Sequence, residues 1–321
     1  MAQRGTRSGE SKGLLLGLVG VAMFSLTLPF TRMAVADLDP VFVALGRAVA
    51  AAALAALWLL WQRAPRPARK DWLPLAWVAG GCILGFPLLT SIALRSVPAA
   101  HGAVLIGILP LATAAVSALR GNERPSAGFW LMACAGSAIV VGYALRQSGG
   151  SFHAADLMLL AAVLCAAIGY AEGGRLAQSM GGERTISWAL LLAVPVLLPV
   201  LCWYTLTHHT GTGSAGVPAW FGFAYVSAIS MFLGFFFWYR GLALGGIARV
   251  GQVQLLQPVL TLFGAAALLD EPLSASNLGF ALAVIAVVAA GRRMRVQRQE
   301  MYNTGLISNQ PGTAPCPPTT N

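Results

Sequence analysis

Apolar residues along this chain form ten long runs that are separated by short polar or basic links. Each run is about 18–24 residues long, the length of helix that crosses ~30 Å of hydrocarbon. Hydrophobic residues make up 57% of the 321 and charged residues only 10%. The pattern therefore predicts an all-α integral membrane protein with ten transmembrane helices. The predicted helices cover about residues 13–35, 40–61, 72–94, 98–119, 126–145, 156–178, 185–204, 218–240, 248–269 and 273–291.

The basic residues predict how these helices are oriented. Seventeen of the 21 Lys and Arg residues lie in the N-terminal segment, the C-terminal segment and every second link. Because positive residues concentrate on the cytoplasmic side of membrane proteins, both termini are expected in the cytoplasm. The expected location of the protein is the plasma (inner) membrane. The net charge is +10, but the basic residues behind it flank the apolar runs and do not form a stripe, so nucleic acid is not an expected partner. Residues 1–12 are expected as a cytoplasmic tail and residues 292–321 as a disordered one.

The chain also contains an internal repeat. A proline and a threonine inside an apolar run, followed by an acidic turn, occur twice at a fixed offset of 148 positions. The residues that match at this offset are Leu94 and Leu242, Ala100 and Ala248, Pro110 and Pro258, Thr113 and Thr261, Ala118 and Ala266, Glu123 and Glu271, and Ser126 and Ser274.

Five predicted helices separate each residue from its copy, so the two copies must face opposite sides of the membrane. The acidic turns agree, because Arg120 and Arg124 flank Glu123 whereas no basic residue flanks Glu271. The helices that open the halves correspond at an offset of 143. The sequence thus predicts two inverted five-helix repeats, residues 13–146 and 153–291, with a substrate site where the halves meet.

In these features the chain resembles the drug/metabolite transporter superfamily, specifically the EamA type with two tandem domains. The resemblance covers nearly all of residues 13–291. It depends on the ten predicted helices, on the segment PVFVALGR at residues 40–47, and on the doubled proline and glutamate pattern. One departure is that Leu190, not an arginine, matches Arg47 at the offset of 143.

The resemblance implies an inner-membrane secondary transporter, commonly an exporter of amino acids or related small metabolites. Its expected partners are a small-molecule substrate and the lipid bilayer, while proton coupling and a homodimer stay open. A membrane enzyme or a non-transporting scaffold acting on lipid-linked substrates is the alternative. We do not expect an enzyme, a cofactor or a metal site, since no HExxH, GxSxG or phosphate-loop motif occurs.

Two charged positions inside predicted helices have both a functional and a structural interpretation. Arg47 lies ~10 Å along its helix from Pro40. A charge at that depth must face a cavity or a partner, so Arg47 either contacts substrate or clamps backbone carbonyls. Glu172 and Arg175 are three residues apart on one helix face, where they are either a proton-coupling site or a local ion pair.

The ninth predicted helix is the expected substrate site. At 100° per residue, Gln254, Gln257 and Thr261 share one face, on which lipid could not satisfy their polar groups. Pro258 leaves the carbonyl of Gln254 without its helical donor. Pro258 and its copy Pro110 are therefore expected kinks that suit gating. Hydrogen bonding between helices is the alternative explanation of this polar face.

The predicted orientation can be tested by labelling from outside the cell. In a variant without native cysteines, Ser214→Cys should react with an impermeant maleimide added to whole cells, because residues 205–218 form an outer loop. Pro67→Cys should be protected until the membrane is permeabilised. The reverse pattern would exclude both this orientation and the inverted repeat.

Overall fold

The computed structural model of the protein describes residues 2–119, 123–147, 154–273, 275–291 and 296–298. Helix dominates these residues, and the helices follow the predicted apolar runs in order. They are α1 (Ala2–Ser25, continued by Thr27–Asp37), α2 (Pro40–Trp61), α3 (Arg69–Ala93), α4 (Ala99–Ile106 and Leu109–Leu119), α5 (Ala127–Gln147), α6 (Ala154–Met180), α7 (Gly182–Thr207), α8 (Val217–Gly245), α9 (Ile247–Leu269) and α10 (Ala275–Gly291).

Seven of the helices in the described part are long and apolar enough to cross a membrane. They are α1 from Gly9 onward, α2, α3, α6, α7, α8 and α9. Two further apolar helices, Leu109–Leu119 in α4 and Ala127–Ile139 in α5, are shorter. The protein is therefore a multi-pass helical membrane protein, while ten spanning helices remain a prediction.

The fourth predicted helix is interrupted. Over the predicted residues 98–119, α4 ends at Ile106 and resumes at Leu109, next to the expected kink at Pro110. Pro110 is the physical reason, since it has no N–H to donate to the carbonyl of Ile106 and its ring crowds that carbonyl. Gly107 and Ile108 fill the gap as a turn.

Four other helices depart from α geometry near their middle. α1 is interrupted at Leu26, three residues before Pro29. α3 and α8 each contain a π-helical segment, Ala79–Gly85 and Tyr225–Leu233. α9 begins as an α-helical turn, becomes a 3₁₀ helix over Gln252–Leu256 and then resumes α geometry. π segments of this kind are rare and occur frequently at functional sites.

The structure describes part of each predicted tail. The N-terminal helix begins at Ala2, so residues 2–12 are helical. A short strand β2 (Val296–Arg298) pairs antiparallel with β1 (Glu123–Pro125). This part of the C-terminal tail is therefore ordered against the link between α4 and α5. The rest of the predicted disordered tail, residues 292–295 and 299–321, lies outside the described residues.

Packing between the helices follows a regular pattern. α1 packs against α8 and α9, and α6 packs against α3 and α4. The pairs α2 with α7, α4 with α9, and α5 with α10 are also in contact. If each helix number is raised by five, with numbers above ten reduced by ten, α1–α8 and α1–α9 become α6–α3 and α6–α4. The pairs α2–α7, α4–α9 and α5–α10 are each converted into themselves.

Glycines allow two of these helix pairs to approach closely. A Cβ atom at Gly81 in α3 would lie 2.3 Å from the carbonyl oxygen of Cys165 in α6. A Cβ atom at Gly241 in α8 would lie 2.7 Å from the backbone nitrogen of Gly17 in α1. Close backbone approach through small residues is how membrane helices gain packing contacts without a hydrophobic driving force.

Neighbouring glycines in α3 allow a matched stability test. We expect Gly81→Ala to lower the melting temperature by about 2–10 °C, since overpacking costs ~1–3 kcal/mol. Gly80→Ala is the control, because its added methyl group would meet no atom within 4 Å. Scanning fluorimetry of the purified variants measures both. Equal melting temperatures would contradict the close α3–α6 contact.

Candidate functional site

A small cavity lies between α1, α2, α3, α6, α8 and α9. Its wall combines apolar and aromatic side chains with a few polar ones. The lining residues are Phe24, Thr27, Leu28, Arg47, Cys82, Phe86, Ala166, Tyr170, Ser230, Phe235 and Gln257.

Irregular backbone meets at this cavity. Thr27 follows the interruption of α1, and Gln257 stands where α9 changes from 3₁₀ to α geometry. Cys82 and Ser230 lie in the two π-helical segments. Membranes tolerate such backbone only where it is buried in protein or lines a cavity. The local distortions of four helices thus converge on one place.

Arg47 reaches the cavity from α2 with its charge uncompensated. The residue is 2% exposed, and its Nε and Nη1 atoms have no hydrogen-bond partner among the described residues. The nearby hydroxyl of Tyr170 interacts with it electrostatically. The alternative role of Arg47 as a clamp on carbonyls has no support in these contacts. A buried cation without a partner leaves a free anion-binding position facing the cavity.

Gln257 and Thr261 both reach α1, in different ways. Gln257 lines the cavity, and its Nε2 is 3.5 Å from the carbonyl oxygen of Phe24, a long hydrogen bond. The hydroxyl of Thr261 donates to the carbonyl oxygen of Ser25 at 2.7 Å. Pro29 has freed that carbonyl because it has no N–H. Thr261 therefore makes a bond between helices, whereas Gln257 stays next to the cavity.

Gln254 does not line the cavity with Gln257. It is 2% exposed and lies beside the hydroxyl of Tyr170. Neither of its amide atoms meets the geometry of a hydrogen bond with a described residue. The predicted polar face is thus divided between Gln257, which lines the cavity, and Gln254, which is buried beside it.

Four further lining residues were not identified from the sequence. The hydroxyls of Thr27 and Ser230 are hydrogen-bonded at 2.8 Å. Tyr170 and Cys82 also line the cavity. The repeat contained a signal for them, since Tyr170 stands 143 positions after Thr27 and Ser230 stands 148 positions after Cys82.

Glu172 and Arg175 form an ion pair away from the cavity lining. Arg175 Nη2 donates to Glu172 Oε2 at 2.9 Å, and Nε donates to the same oxygen at 3.3 Å. The Glu172 side chain is 2% exposed, whereas that of Arg175 is 46% exposed. Arginine keeps its charge at any physiological pH. The arrangement is that of a local ion pair at the end of α6.

Polar contacts at the opposite end of the helices connect the two repeats. The carboxylate of Glu271, after α9, accepts bonds from the N–H groups of Ala99 and Ala100 at 3.2 Å, so it caps α4. Nε2 of His101 in α4 lies 2.6 Å from Oδ1 of Asp156 in α6.

In the same region, Arg32 donates to the carbonyl oxygens of Leu94 at 2.6 Å and Val97 at 2.7 Å. Carbonyl clamping, considered above for Arg47, is thus performed by Arg32. Among the described residues, no group of three or more His, Cys, Asp or Glu side chains could hold a metal ion.

Comparison with known proteins identifies the family. The model of the EamA-like transporter family matches residues 11–145 and again residues 153–290. An uncharacterized transporter, YdeK of Bacillus subtilis (strain 168), is 47% identical over 283 residues, which is 88% of this chain and 98% of that protein. A protein of known crystal structure has the same fold, with a TM-score of 0.69 at 18% identity over 88% of this chain and 96% of its own.

The two family matches cover nearly all of the helices described above, including those that form the cavity. The chain therefore belongs to the EamA-like transporter family, within the drug/metabolite transporter superfamily, and is a multi-pass membrane transporter.

Proposed function

We propose that the protein is a secondary transporter of the plasma membrane that exports a small carboxylate-bearing metabolite, an amino acid or a related compound, by alternating access. The observation that carries the proposal is the buried guanidinium of Arg47, which faces the cavity and lacks a hydrogen-bond partner for two of its nitrogens. A carboxylate fits this position because arginine can bind it with two parallel hydrogen bonds.

The energetics of membrane burial support this role for Arg47. Placing an arginine at the centre of a spanning helix costs at least ~2.5 kcal/mol on insertion scales. A purely structural arginine would offset that cost with carbonyl or carboxylate partners, as Arg32 does with Leu94 and Val97. Arg47 has no such partner among the described residues, so a substrate group is the expected compensation.

Gln257 is the second proposed substrate contact. Its amide lies at the same cavity, and its one bond, to Phe24, is long enough to exchange for a bond to substrate. In this scheme Gln254 contributes through Tyr170, which does line the cavity. Thr261 positions α9 against α1 through its bond to Ser25. The four residues predicted from sequence thus divide into two substrate contacts, Arg47 and Gln257, and two supporting residues.

Alternating access by two inverted repeats is the proposed mechanism. The packing pattern supports it, because the contacts of α1 with α8 and α9 have counterparts in the contacts of α6 with α3 and α4, and the other three pairs each join equivalent helices. The cavity supports it too, because Thr27 with Ser230 and Tyr170 with Cys82 are equivalent pairs under the repeat offsets. Residues 13–146 and 153–291 would be the two repeats, with ten spanning helices and both termini in the cytoplasm.

The interrupted helices supply the proposed moving parts. Pro110 lies where α4 is broken, and Pro258 lies where α9 leaves 3₁₀ geometry. Two open depressions lie at opposite ends of the helices. One contains Arg32 and Glu271, and the other contains Glu183 and Arg240. We propose that bending at the two prolines connects the cavity to each depression in turn.

Transport by the reconstituted protein tests the site. In proteoliposomes, a panel of labelled amino acids and organic acids should include at least one compound that exchanges across the membrane. Arg47→Gln should reduce its exchange about 10- to 100-fold, since a hydrogen bond to a charged group contributes ~1.5–3 kcal/mol. Gln257→Leu should abolish binding or shift the substrate range while expression and folding are retained.

Arg146→Gln is the control for this measurement, because Arg146 is exposed on α5. Its exchange rate should equal that of the parent protein. Normal exchange by both Arg47→Gln and Gln257→Leu would exclude the cavity as the substrate site. Absence of exchange by the parent for every compound would contradict the transport proposal.

Glu172 gives a separate prediction about proton coupling. Arg175 neutralises this carboxylate, and both side chains lie outside the cavity lining. We therefore expect the Glu172→Gln protein to accumulate substrate against its gradient, driven by a pH gradient, as well as the parent protein does. Gradient-driven uptake and exchange are compared in the same vesicles. Loss of uphill uptake with intact exchange would instead assign proton coupling to Glu172 and Arg175.

A further inference from the structure

The charges at the cavity are unbalanced in one direction. Arg47 is the one charged side chain among the lining residues, and no aspartate or glutamate is among them. The other polar lining groups are hydroxyls, a thiol and an amide. The nearest acidic residue along the lining helices, Glu172, is paired with Arg175. The cavity therefore has a net charge of one positive unit before a substrate binds.

The internal repeat shows that this imbalance is confined to one wall. At the repeat offsets, Arg47 corresponds to Leu190 and Gln257 corresponds to Leu109. Both leucines are fully buried and apolar, and neither lines the cavity. No second cation thus lies opposite Arg47. A dianion would leave one of its charges without a partner.

The remaining wall suits an apolar body. Phe24, Phe86, Tyr170 and Phe235 line it. Phe24 already contacts other rings, with centroid distances of 5.0 Å to Phe235 and 6.4 Å to Tyr170. These rings pack into a continuous apolar surface, which would bury a hydrocarbon or aromatic group. An ammonium group on the same ligand would find no carboxylate there.

We infer that the cavity selects a monoanionic carboxylate with an apolar body over a zwitterionic amino acid of the same shape. This inference rests on the proposed function and narrows its substrate class. In a low-dielectric site, a monoanion neutralises Arg47, whereas a zwitterion adds a desolvated ammonium to a cavity that already has a positive charge. Organic acids and amino acids whose amine is acylated belong to the selected class.

Four ligands of nearly equal shape separate the charge states. They are 3-phenylpropionate as the monoanion, L-phenylalanine as the zwitterion, phenethylamine as the cation and 3-phenylpropionamide as the neutral compound. Binding to the purified full-length protein is measured by titration of tryptophan fluorescence, since Trp238 packs on Phe24 and Tyr170 of the cavity wall. We expect 3-phenylpropionate to bind at least tenfold more tightly than the other three.

Two variants connect this selectivity to the cavity. Arg47→Gln should weaken 3-phenylpropionate at least tenfold and bring its affinity close to that of the amide. Gln257→Glu adds the missing carboxylate. It should therefore weaken the binding of 3-phenylpropionate and strengthen the binding of L-phenylalanine, which would reverse the preference between them. The second variant tests the inference even if Arg47→Gln does not fold. Arg146→Gln is the control, because Arg146 is exposed on α5 and lines neither the cavity nor the two depressions.

The outcomes separate the inference from the proposed function. If L-phenylalanine binds as tightly as 3-phenylpropionate and binding depends on Arg47, the monoanion inference is wrong and the transport site stands. An unchanged preference in Gln257→Glu would also overturn it. If none of the ligands binds, or binding is the same in Arg47→Gln, both the inference and the cavity as substrate site are wrong.

Discussion

Hydrocarbon offers no hydrogen bonds, and this constraint accounts for the main features of the protein. Every break in helix geometry must be satisfied by another part of the chain or face an internal space. The carbonyl of Ser25, freed by Pro29, shows the first solution, because the hydroxyl of Thr261 donates to it. The π-helical segments show the second, since Cys82 and Ser230 both line the cavity. The places where the helices are least regular therefore form the candidate site.

Duplication followed by divergence explains why the site is polar on one wall. Thr113, the copy of Thr261, is buried, and its hydroxyl has no partner among the described residues. In the other repeat, α6 is the equivalent of α1, and it has Glu172 at the position that corresponds to Pro29. Glutamate keeps its backbone N–H, so α6 has no proline-freed carbonyl that could accept a bond from Thr113. The two repeats thus share helix positions and packing, while Arg47 is found only in the first repeat and the proline-freed carbonyl bond of Thr261 has no copy at Thr113.

The two repeats are also joined outside the cavity. Glu271 caps the start of α4, and His101 in α4 contacts Asp156 in α6. α4 is thereby connected to both neighbouring helices on one side of its break at Gly107. A helix that is anchored at one end and interrupted in its middle can bend without losing those contacts. This combination is consistent with the proposed alternating access, in which the cavity would open to each side in turn.

By itself the sequence determined the helical membrane class, the approximate helix positions and the internal repeat, and it singled out Arg47 and Gln257, which both line the cavity. These follow from the length of apolar runs, from matching residues at fixed offsets and from the cost of burying polar groups. Only the tertiary structure decided that α4 is broken, that Thr261 bonds to Ser25 and that Gln254 is separated from Gln257. Predictions at 100° per residue assume a regular α-helix, and that assumption fails where a helix becomes 3₁₀ or π. Contacts between distant helices, such as Thr27 with Ser230, depend on packing that no local pattern encodes.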